Sequence, residues 1–170
     1  KLLWPPSYWA KEGLIDLPNK KVAIITSDNA FSRYISEGMR DNFQAAGWDV
    51  TLYEMVPFGS VTEWRPILAK IRANPPGFIA NIDYIPSNEA ALMEQFLQNP
   101  TKSHIFMQYG PSTDEFTKLL GDKANGVLYN SPCLVPWIKK YAQGQYYRER
   151  FKNKYGYEPG FQGPANYIST

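Results

Sequence analysis

Five short apolar runs alternate with stretches of helical periodicity, and this alternation restricts the fold more than any other feature of the sequence. Each run is too short for a typical helix, and most are bounded by turn or polar residues. Between the first two runs, Phe31, Ile35, Met39 and Phe43 recur at every fourth position, which is a helical spacing. The predicted strands are Val22–Thr26, Val50–Tyr53, Phe78–Ile82, His104–Gln108 and Gly126–Tyr129.

The repeated order of strand and helix predicts an α/β fold. We expect a flavodoxin-like or Rossmann-like open parallel five-stranded sheet with helices on both faces. The expected strand order is 2-1-3-4-5, with right-handed crossovers. This unit spans residues 21–156, and the flanking residues 1–20 and 157–170 do not fit its pattern.

Local signals predict where three of the helices begin. Ser87 or Asn88 is the expected N-cap of the helix after the third run. Ser112–Glu115 matches a capping box, in which a serine and a glutamate satisfy the first free N–H groups of a helix. Pro136 is expected to open a longer last helix that ends near Tyr155.

Composition and charge narrow the class of protein. A hydrophobic content of 44% in 170 residues is sufficient for the core of one domain. The formal net charge of +2 argues against a nucleic-acid-binding protein, because such proteins carry a basic stripe. No run approaches the roughly 20 apolar residues of a membrane-spanning helix. We interpret the basic residues near the C-terminus as a solvated helix face; they are Lys139, Lys140, Arg148, Arg150, Lys152 and Lys154.

The usual enzyme and cofactor motifs are missing from the sequence. No G-x-G-x-x-G follows the first strand, and neither a G-x-x-x-x-G-K-[ST] phosphate loop nor a G-x-S-x-G turn occurs. His104, the only histidine, begins a predicted strand and is interpreted as structural. Cys133, the only cysteine, has no base nearby in sequence to activate its thiol. We therefore expect no metal, no cofactor and no catalytic residue.

The loops that follow the strands are the expected place for a ligand, because open parallel sheets bind ligands outside the carboxyl ends of their strands. All five loops contain polar, aromatic or turn-forming residues, and together they would form one continuous edge. They are Ser27–Phe31, Val56–Ser60, Asp83–Asn88, Tyr109–Thr113 and Asn130–Val135.

Two acids in these loops allow a different interpretation. Asp28 and Asp83 follow the first and third strands, and the pair resembles the acidic site of a phosphoacceptor receiver domain. Receivers have two adjacent acids after the first strand and a lysine after the fifth. Here Ser27 precedes Asp28, and the fifth loop has no lysine. Capping of the next helix explains Asp28 equally well, since Asp and Asn after a strand commonly have that role.

Four segments in series carry a family resemblance. They are "KKVAIITSDNAFSRYISEGMRDNFQAAGWDV", "VPFGSVTEWRPILAKIRANPPGFI", "LLGDKANGVLYNSP" and "RFKNKYGYEP" with a later "ANY". From Lys20 to about Tyr167 the order of features resembles the second lobe of type I periplasmic binding proteins. The most similar group is the leucine/isoleucine/valine-binding protein family, the solute receptors of ABC importers.

The sequence departs from the family's pattern at three places. Phe31-Ser32 stands where the family usually has Tyr-Gly, and Val61–Trp64 stands where it often has Thr-Asp-Phe. The loop after the fourth strand has no acid before Asp114, although leucine-binding members use an acid there to hold the ligand amine. These departures argue against an unmodified branched-chain amino acid as the ligand.

The resemblance implies a protein of two lobes that hold a ligand between them. In that case the chain is a fragment without the first lobe, residues 1–20 are the incoming connection and residues 157–170 begin the outgoing one. The implied function is solute binding for an ABC-type importer. The implied location is periplasmic or otherwise extracytoplasmic, as for an exported protein. The implied partners are an amino acid or similar small polar ligand, the membrane permease and the first lobe, but no nucleic acid. The alternatives are a ligand-sensing domain of a regulator or receptor, and a receiver-like domain.

The same resemblance suggests roles for individual residues. Phe31 and Tyr84 are expected to form apolar walls, and Asp83 to take an ammonium or hydroxyl group. Ser27 or Gln108 is expected to bind a polar group of the ligand. The full set of expected ligand-binding residues is Ser27, Asp28, Asn29, Phe31, Asp83, Tyr84, Pro86, Gln108, Tyr109 and Gly110.

Overall fold

The structure, a computed structural model, describes residues 6–130 and 140–160. Within these ranges the strands are β1 (Lys21–Ser27), β2 (Asp49–Val56), β3 (Phe78–Ile82) and β4 (His104–Met107). The helices are α1 (Pro6–Lys11), α2 (Ala30–Ala45), α3 (Arg65–Ala73), α4 (Pro86–Leu97), α5 (Asp114–Leu120) and α6 (Ala142–Tyr155). Two 3₁₀ turns, Gly110–Ser112 and Gly121–Ala124, flank α5.

The strands form one parallel sheet in the order β2-β1-β3-β4, which confirms the predicted fold class and the first four positions of the predicted order. The predicted fifth strand is reduced to an isolated parallel bridge between Phe106 and Leu128. Leu128 N donates to Ile105 O at 2.8 Å, and Met107 N donates to Leu128 O at 2.9 Å. The run therefore lies beside β4 as predicted. It begins at Gly126, which is exposed and has a φ of +86°, so the backbone is not extended there.

The core lies on both faces of the sheet. Successive strand residues point to opposite faces, so Ala23 and Ile25 pack in one cluster and Val22 and Ile24 in the other. All of β3 is buried, as expected for a strand covered on both sides. Trp64, Leu68, Phe96 and Phe116 fill the first cluster, whereas Phe43, Trp48 and Phe78 fill the second. Each such side chain contributes about 1.5–3 kcal/mol by its burial.

Helix α2 begins at an asparagine cap. Asn29 Oδ1 accepts a hydrogen bond from Ser32 N at 2.9 Å, and Asn29 Nδ2 donates to Ser32 Oγ at 3.0 Å. The neighbouring acid Asp28 instead pairs with Arg33, with 3.2 Å between carboxylate oxygen and Nε. The capping role considered for Asp28 thus belongs to Asn29.

The predicted caps of α4 and α5 are wrong in position. Helix α4 begins at Pro86, which suits a first helical position because it has no N–H to satisfy. Ser87 and Asn88 therefore lie inside the helix. The cap of α5 is Thr113, whose Oγ1 accepts from Phe116 N at 3.3 Å. Ser112 belongs to the preceding 3₁₀ turn, and its hydroxyl donates to a backbone carbonyl there.

The segment before β1 is attached to the amino end of the sheet. Asn19 Oδ1 accepts from Gly77 N at 2.6 Å and from Lys21 N at 3.0 Å. A Cβ at position 77 would lie 2.2 Å from Asn19 O, so this contact requires glycine. His104 Nε2 lies 2.8 Å from Asp16 O, which gives the only histidine a structural contact.

Helix α6 ends at Tyr155, which confirms the predicted end, and Gly156 follows it in a left-handed conformation with φ +78°. Pro136, Cys133 and Lys139 lie outside the described residues. Four of the basic residues, Lys140, Arg150, Lys152 and Lys154, are exposed. Arg148 and Lys152 both pair with Glu158. In the part of the chain that the structure describes, the helices are too short or too polar to cross a membrane.

Candidate ligand site at the carboxyl edge of the sheet

The loops that follow β1 to β4 meet at one side of the sheet, which we call the carboxyl edge. Because the strands are parallel, their carboxyl ends all point to this side. The fifth predicted loop is described only at Asn130, so the site consists of four loops here.

One aromatic ring comes from each of the four loops, or from the helix start that follows it. We call this set, Phe31, Phe58, Tyr84 and Tyr109, the edge aromatic cluster. Phe31 and Tyr109 are nearly parallel, at 22°, with ring centroids 6.1 Å apart. Tyr84 meets Phe31 edge-on at 6.3 Å and lies 6.0 Å from Phe58. Phe31, Phe58 and Tyr84 are 46%, 55% and 40% exposed, so the cluster presents an aromatic surface to solvent.

Beneath these rings, the Asp83 carboxylate closes the β3–α4 turn. Its Oδ1 accepts from Tyr84 N at 2.7 Å and from Ile85 N at 3.2 Å, and its Oδ2 accepts from Asn88 Nδ2 at 2.8 Å. Asp83 is buried. Both oxygens therefore serve donors of the chain itself, and the side chain fixes the backbone that carries Tyr84.

Asn88 connects two of the loops. Its Nδ2 also donates to Gly59 O at 2.8 Å, and its Oδ1 accepts from Val61 N at 2.9 Å. The β2–α3 loop, which contains Phe58, is thereby fixed to the β3–α4 turn. The sequence predicted Asn88 as a helix cap and missed this role. The available signal was an Asn-Glu pair immediately before the apolar residues of α4.

Glu89 is fully buried and holds the loop after β4. Its Oε1 accepts from Gln108 N at 3.1 Å. Burial is the largest cause that raises the pKa of this carboxyl well above its ordinary value, and the nearby charge of Asp83 raises it further. The backbone N–H groups of Gly110 and Gln108 lower the pKa in part. Burial thus shifts this carboxyl towards its neutral form.

Gly110 is required by the close approach of Glu89. A Cβ at position 110 would lie 1.8 Å from Glu89 Oε2 and 2.9 Å from its Cδ. Gly110 also begins the 3₁₀ turn that directly follows Tyr109. The position of the Tyr109 ring therefore depends on a glycine that no side chain can replace without movement.

Two of the polar candidates, Ser27 and Gln108, are buried at the carboxyl ends of β1 and β4. Thr26 of β1 and Asn81 of β3 are buried near them along the chain or in the sheet. Among the described residues, Ser27 Oγ, Thr26 Oγ1, Gln108 Oε1 and both amide atoms of Asn81 have no hydrogen-bond partner. Buried polar groups normally have one, so these atoms, at or next to the carboxyl ends of their strands, could accept or donate hydrogen bonds to water or a ligand.

The predicted aromatic residues Phe31, Tyr84 and Tyr109 are brought together, and Phe58 completes their set. Phe58 lies in a predicted loop, but it was not identified from sequence as a ligand residue. Its signal was an aromatic residue at the second position after its strand, the position that Tyr84 and Tyr109 also have. Pro86 is half-buried at the start of α4, and Gly110 is buried below the rings.

The described residues contain no group of three His, Cys, Asp or Glu side chains that is suited to hold a metal ion. A cavity of about 440 Å³ does occur, but along α6 and not at the carboxyl edge. Its lining consists of Tyr146, Tyr147, Arg150, Phe151, Lys154 and Tyr155. One side of a single helix forms it, so it is an open groove.

The chain was compared with families and with known proteins. Residues 7–170 match the family model described as periplasmic binding protein. A comparison with curated protein sequences found no match.

Solved structures of similar fold are numerous. A protein of Silicibacter pomeroyi, described as a branched-chain amino acid ABC transporter, is 32% identical over 96% of this chain and 40% of its own length, with a TM-score of 0.82. The substrate-binding protein LivJ of Streptococcus pneumoniae, solved with isoleucine, is 18% identical over 96% of this chain and 45% of its own length, with a TM-score of 0.75. A solute-binding protein of R. palustris, solved with benzoate, is 16% identical over 92% of this chain and 41% of its own length, with a TM-score of 0.70.

These comparisons confirm the resemblance inferred from the sequence motifs. The two matches below 25% identity show the common fold. The chain spans less than half the length of each of these three solved proteins. Because the family model covers nearly all of the sequence, the chain belongs to the periplasmic binding protein family.

Proposed function

We propose that this chain is the ligand-binding lobe of a solute receptor for an ABC-type importer, and that it binds an amino acid or similar small organic solute at the carboxyl edge. The observation that carries the proposal is the edge aromatic cluster: four loops, distant in sequence, present one exposed aromatic surface. Ligand sites of open parallel sheets lie at this edge. Family membership supports the same function, because binding proteins act by holding a solute and need no catalytic group.

The proposal includes a second lobe that closes over the solute. The chain covers 40–45% of the solved proteins of S. pomeroyi and S. pneumoniae, as one lobe of a two-lobe protein would. Residues 1–20 and 157–170 would then be the connections between the lobes. An extracytoplasmic location and a membrane permease as partner belong to the same proposal. The solutes in the compared structures, isoleucine and benzoate, indicate the range of size.

The buried side chains beneath the rings give the edge the preorganisation that a receptor needs. Asp83, Asn88 and Glu89 fix three of the four loops before any ligand arrives. Ordering a loop during binding costs free energy, so loops that are already held lose less affinity to this term.

Solute binding by the full-length receptor tests the proposal directly. A panel of amino acids and small carboxylates is screened by thermal shift, and hits are measured by calorimetry. A solute present at 100 times its Kd is expected to stabilise the protein by about 2.7 kcal/mol. Failure of every solute to bind the folded protein would contradict the proposed function.

The isolated chain provides the test of the two-lobe part. If the lobes contribute equally to a micromolar affinity, each alone retains about half of roughly 8 kcal/mol, which corresponds to millimolar binding. Tight amino-acid binding by this chain alone would contradict that part. Solute uptake by vesicles that contain the permease separates an importer receptor from a sensor of the same fold, because a sensor would bind without supporting uptake.

A further inference from the structure

We infer that the solute carries a planar aromatic ring and that this lobe recognises the ring through the edge aromatic cluster. The inference rests on the proposed function and specifies its ligand class. It goes beyond the general expectation of a small polar solute.

Exposure of the rings is the first argument. Three of the four rings of the cluster are 40–55% exposed, although the same sheet buries many large apolar side chains completely. Single exposed apolar residues are ordinary, whereas contiguous exposed aromatic residues mark a binding surface. Phe31 is at the centre of the set, because it contacts the rings of both Tyr84 and Tyr109.

The ring geometry suits a flat partner. Aromatic rings prefer offset-stacked or edge-to-face contacts with centroids about 4.5–7 Å apart. The contacts within the cluster, at 6.0–6.3 Å, are of this kind, and they include a nearly parallel pair and an edge-on pair. An added aromatic ring can extend the cluster through contacts of the same kind. An aliphatic side chain would use only the apolar area of the rings.

The positions of the rings are fixed by the buried side chains below them. Asp83 accepts hydrogen bonds from Tyr84 N and from Asn88, and Asn88 accepts one from the β2–α3 loop that carries Phe58. Glu89 contacts the backbone on either side of Tyr109, through Gln108 N and the α-carbon of Gly110. A surface that bound its partner only by apolar area would not need its rings to be held in fixed positions by buried hydrogen bonds.

The charges at the edge agree with ring recognition. The Asp83 oxygens are taken by donors of the chain, and Glu89 is buried below the surface. The exposed Asp28 pairs with Arg33. Among the described residues of these four loops, the rings are therefore the main accessible recognition element. Glu89 Oε2 of α4 has no hydrogen-bond partner, but it is buried.

The experiment measures calorimetric affinities of the full-length receptor for matched solutes. Benzoate is compared with cyclohexanecarboxylate, and phenylalanine with leucine, so that each pair differs chiefly in the aromatic ring. We expect the ring-bearing member of at least one pair to bind about tenfold or more tightly than its counterpart, which corresponds to about 1.4 kcal/mol.

Variants locate the effect on this lobe. Phe31→Leu keeps an apolar side chain but removes the ring, and it is expected to weaken binding of the ring-bearing solute by about tenfold. Tyr34→Ala is the control, because Tyr34 lies on the same helix, is 81% exposed and is outside the edge aromatic cluster. This control is expected to leave the affinity within about twofold of the parent value.

The outcomes separate the inference from the proposed function. Equal or tighter binding of the aliphatic members, or an unchanged affinity in Phe31→Leu, would overturn the aromatic inference and leave the receptor function in place. Failure of the folded protein to bind any of these four solutes would overturn the aromatic inference, and failure across the wider panel of amino acids and carboxylates would overturn the receptor function as well.

Discussion

Two aromatic clusters of the described residues lie outside the buried core, and they are held in place in different ways. The edge aromatic cluster draws its rings from four loops that only the folded sheet brings together. The second set, Tyr147, Phe151, Tyr155 and Tyr157, lies on and just after α6, and we call it the helix aromatic cluster. Phe151 lies 4.6 Å from Tyr155, 5.4 Å from Tyr157 and 5.9 Å from Tyr147, between ring centroids.

The comparison shows why similar aromatic content has different consequences. Residues four apart on a helix are neighbours without any tertiary structure, so three rings of the helix aromatic cluster need only α6 to come together. Helix α6 has no buried residue in the described structure. The edge aromatic cluster, in contrast, depends on buried polar side chains that link its loops. Substitution of those side chains should therefore disturb the edge aromatic cluster far more than α6.

The largest effect is expected for Asn88→Ala. The substitution leaves a buried Asp83 oxygen and the partly buried Gly59 O and Val61 N without their partner. Each such group costs about 1–3 kcal/mol, so we expect a loss of about 3 kcal/mol or more in the free energy of unfolding. Urea denaturation measures it. Asn42→Ala is the control, since this exposed amide bonds only to Gly38 O of its own helix, and a loss as large there would remove the contrast.

Substitution of two glycines by alanine is expected to change the free energy of unfolding less, and in opposite directions at Gly110 and Gly38. Gly110→Ala places a methyl group against Glu89 and should destabilise the protein by about 2 kcal/mol through overpacking. Gly38→Ala meets nothing within 4 Å inside α2 and should stabilise it by about 0.5–1 kcal/mol. Thermal unfolding of both variants provides the measurement. Equal changes at the two positions would show that Glu89 does not hold the Tyr109 loop closely.

The buried Glu89 predicts a pH dependence at the edge. Because its pKa is raised in the folded state, the folded protein binds one more proton than the unfolded chain between the two pKa values. Glu89 therefore makes its full contribution to the free energy of unfolding below its ordinary pKa of about 4.3. As the pH rises from there towards the pKa of Glu89 in the folded protein, this contribution decreases by about 1.4 kcal/mol per pH unit.

The Glu89→Gln variant isolates this dependence. Glutamine cannot ionise, and its amide oxygen can still accept from Gln108 N. We expect the stability of the parent protein, relative to the variant, to decrease as the pH is raised from 4 upwards. Urea unfolding at several pH values gives the difference in the free energy of unfolding between the two proteins. The contributions of titratable groups that both proteins share cancel in this difference. A difference that does not change with pH would contradict the neutral buried acid.

The smallest effect is expected on α6. Phe151→Ala removes three ring contacts, but none of them joins the helix to the sheet. We expect the free energy of unfolding to change by less than about 1 kcal/mol, as is usual for a partly exposed position. Urea unfolding and solute affinity are measured together. A loss above about 2 kcal/mol, or weaker solute binding, would show that α6 supports the edge.

Periodicity predicted the architecture well because burial imposes it. β3 begins and ends where its apolar run does, and the helical spacing from Phe31 to Phe43 lies within α2. The fifth strand was overpredicted, because the run beginning at Gly126 is at the side of the sheet and bonds only through Leu128. A short apolar run alone does not show how many of its residues pair.

The site was less predictable than the fold. The rings of Phe31, Tyr84 and Tyr109 were expected at the carboxyl edge and are there, because parallel strands place their following residues together. The orientation of polar side chains was not predictable. Asp83 and Asn88 follow a strand and look like ligand or cap residues. Asp83 instead accepts hydrogen bonds within its own turn, from Tyr84 N, Ile85 N and Asn88 Nδ2. The other partners of Asn88 are backbone groups of the β2–α3 loop, which is distant in sequence. Sequence spacing carries no information on those partners.

Hydrogen exchange of the full-length receptor, with and without the tightest-binding solute of the matched panel, tests most directly that the carboxyl edge is the ligand face. We predict increased protection in residues 27–31, 57–61, 83–89 and 108–113, and unchanged exchange in α6. Protection confined to α6, or an edge that exchanges equally in both states, would contradict the account.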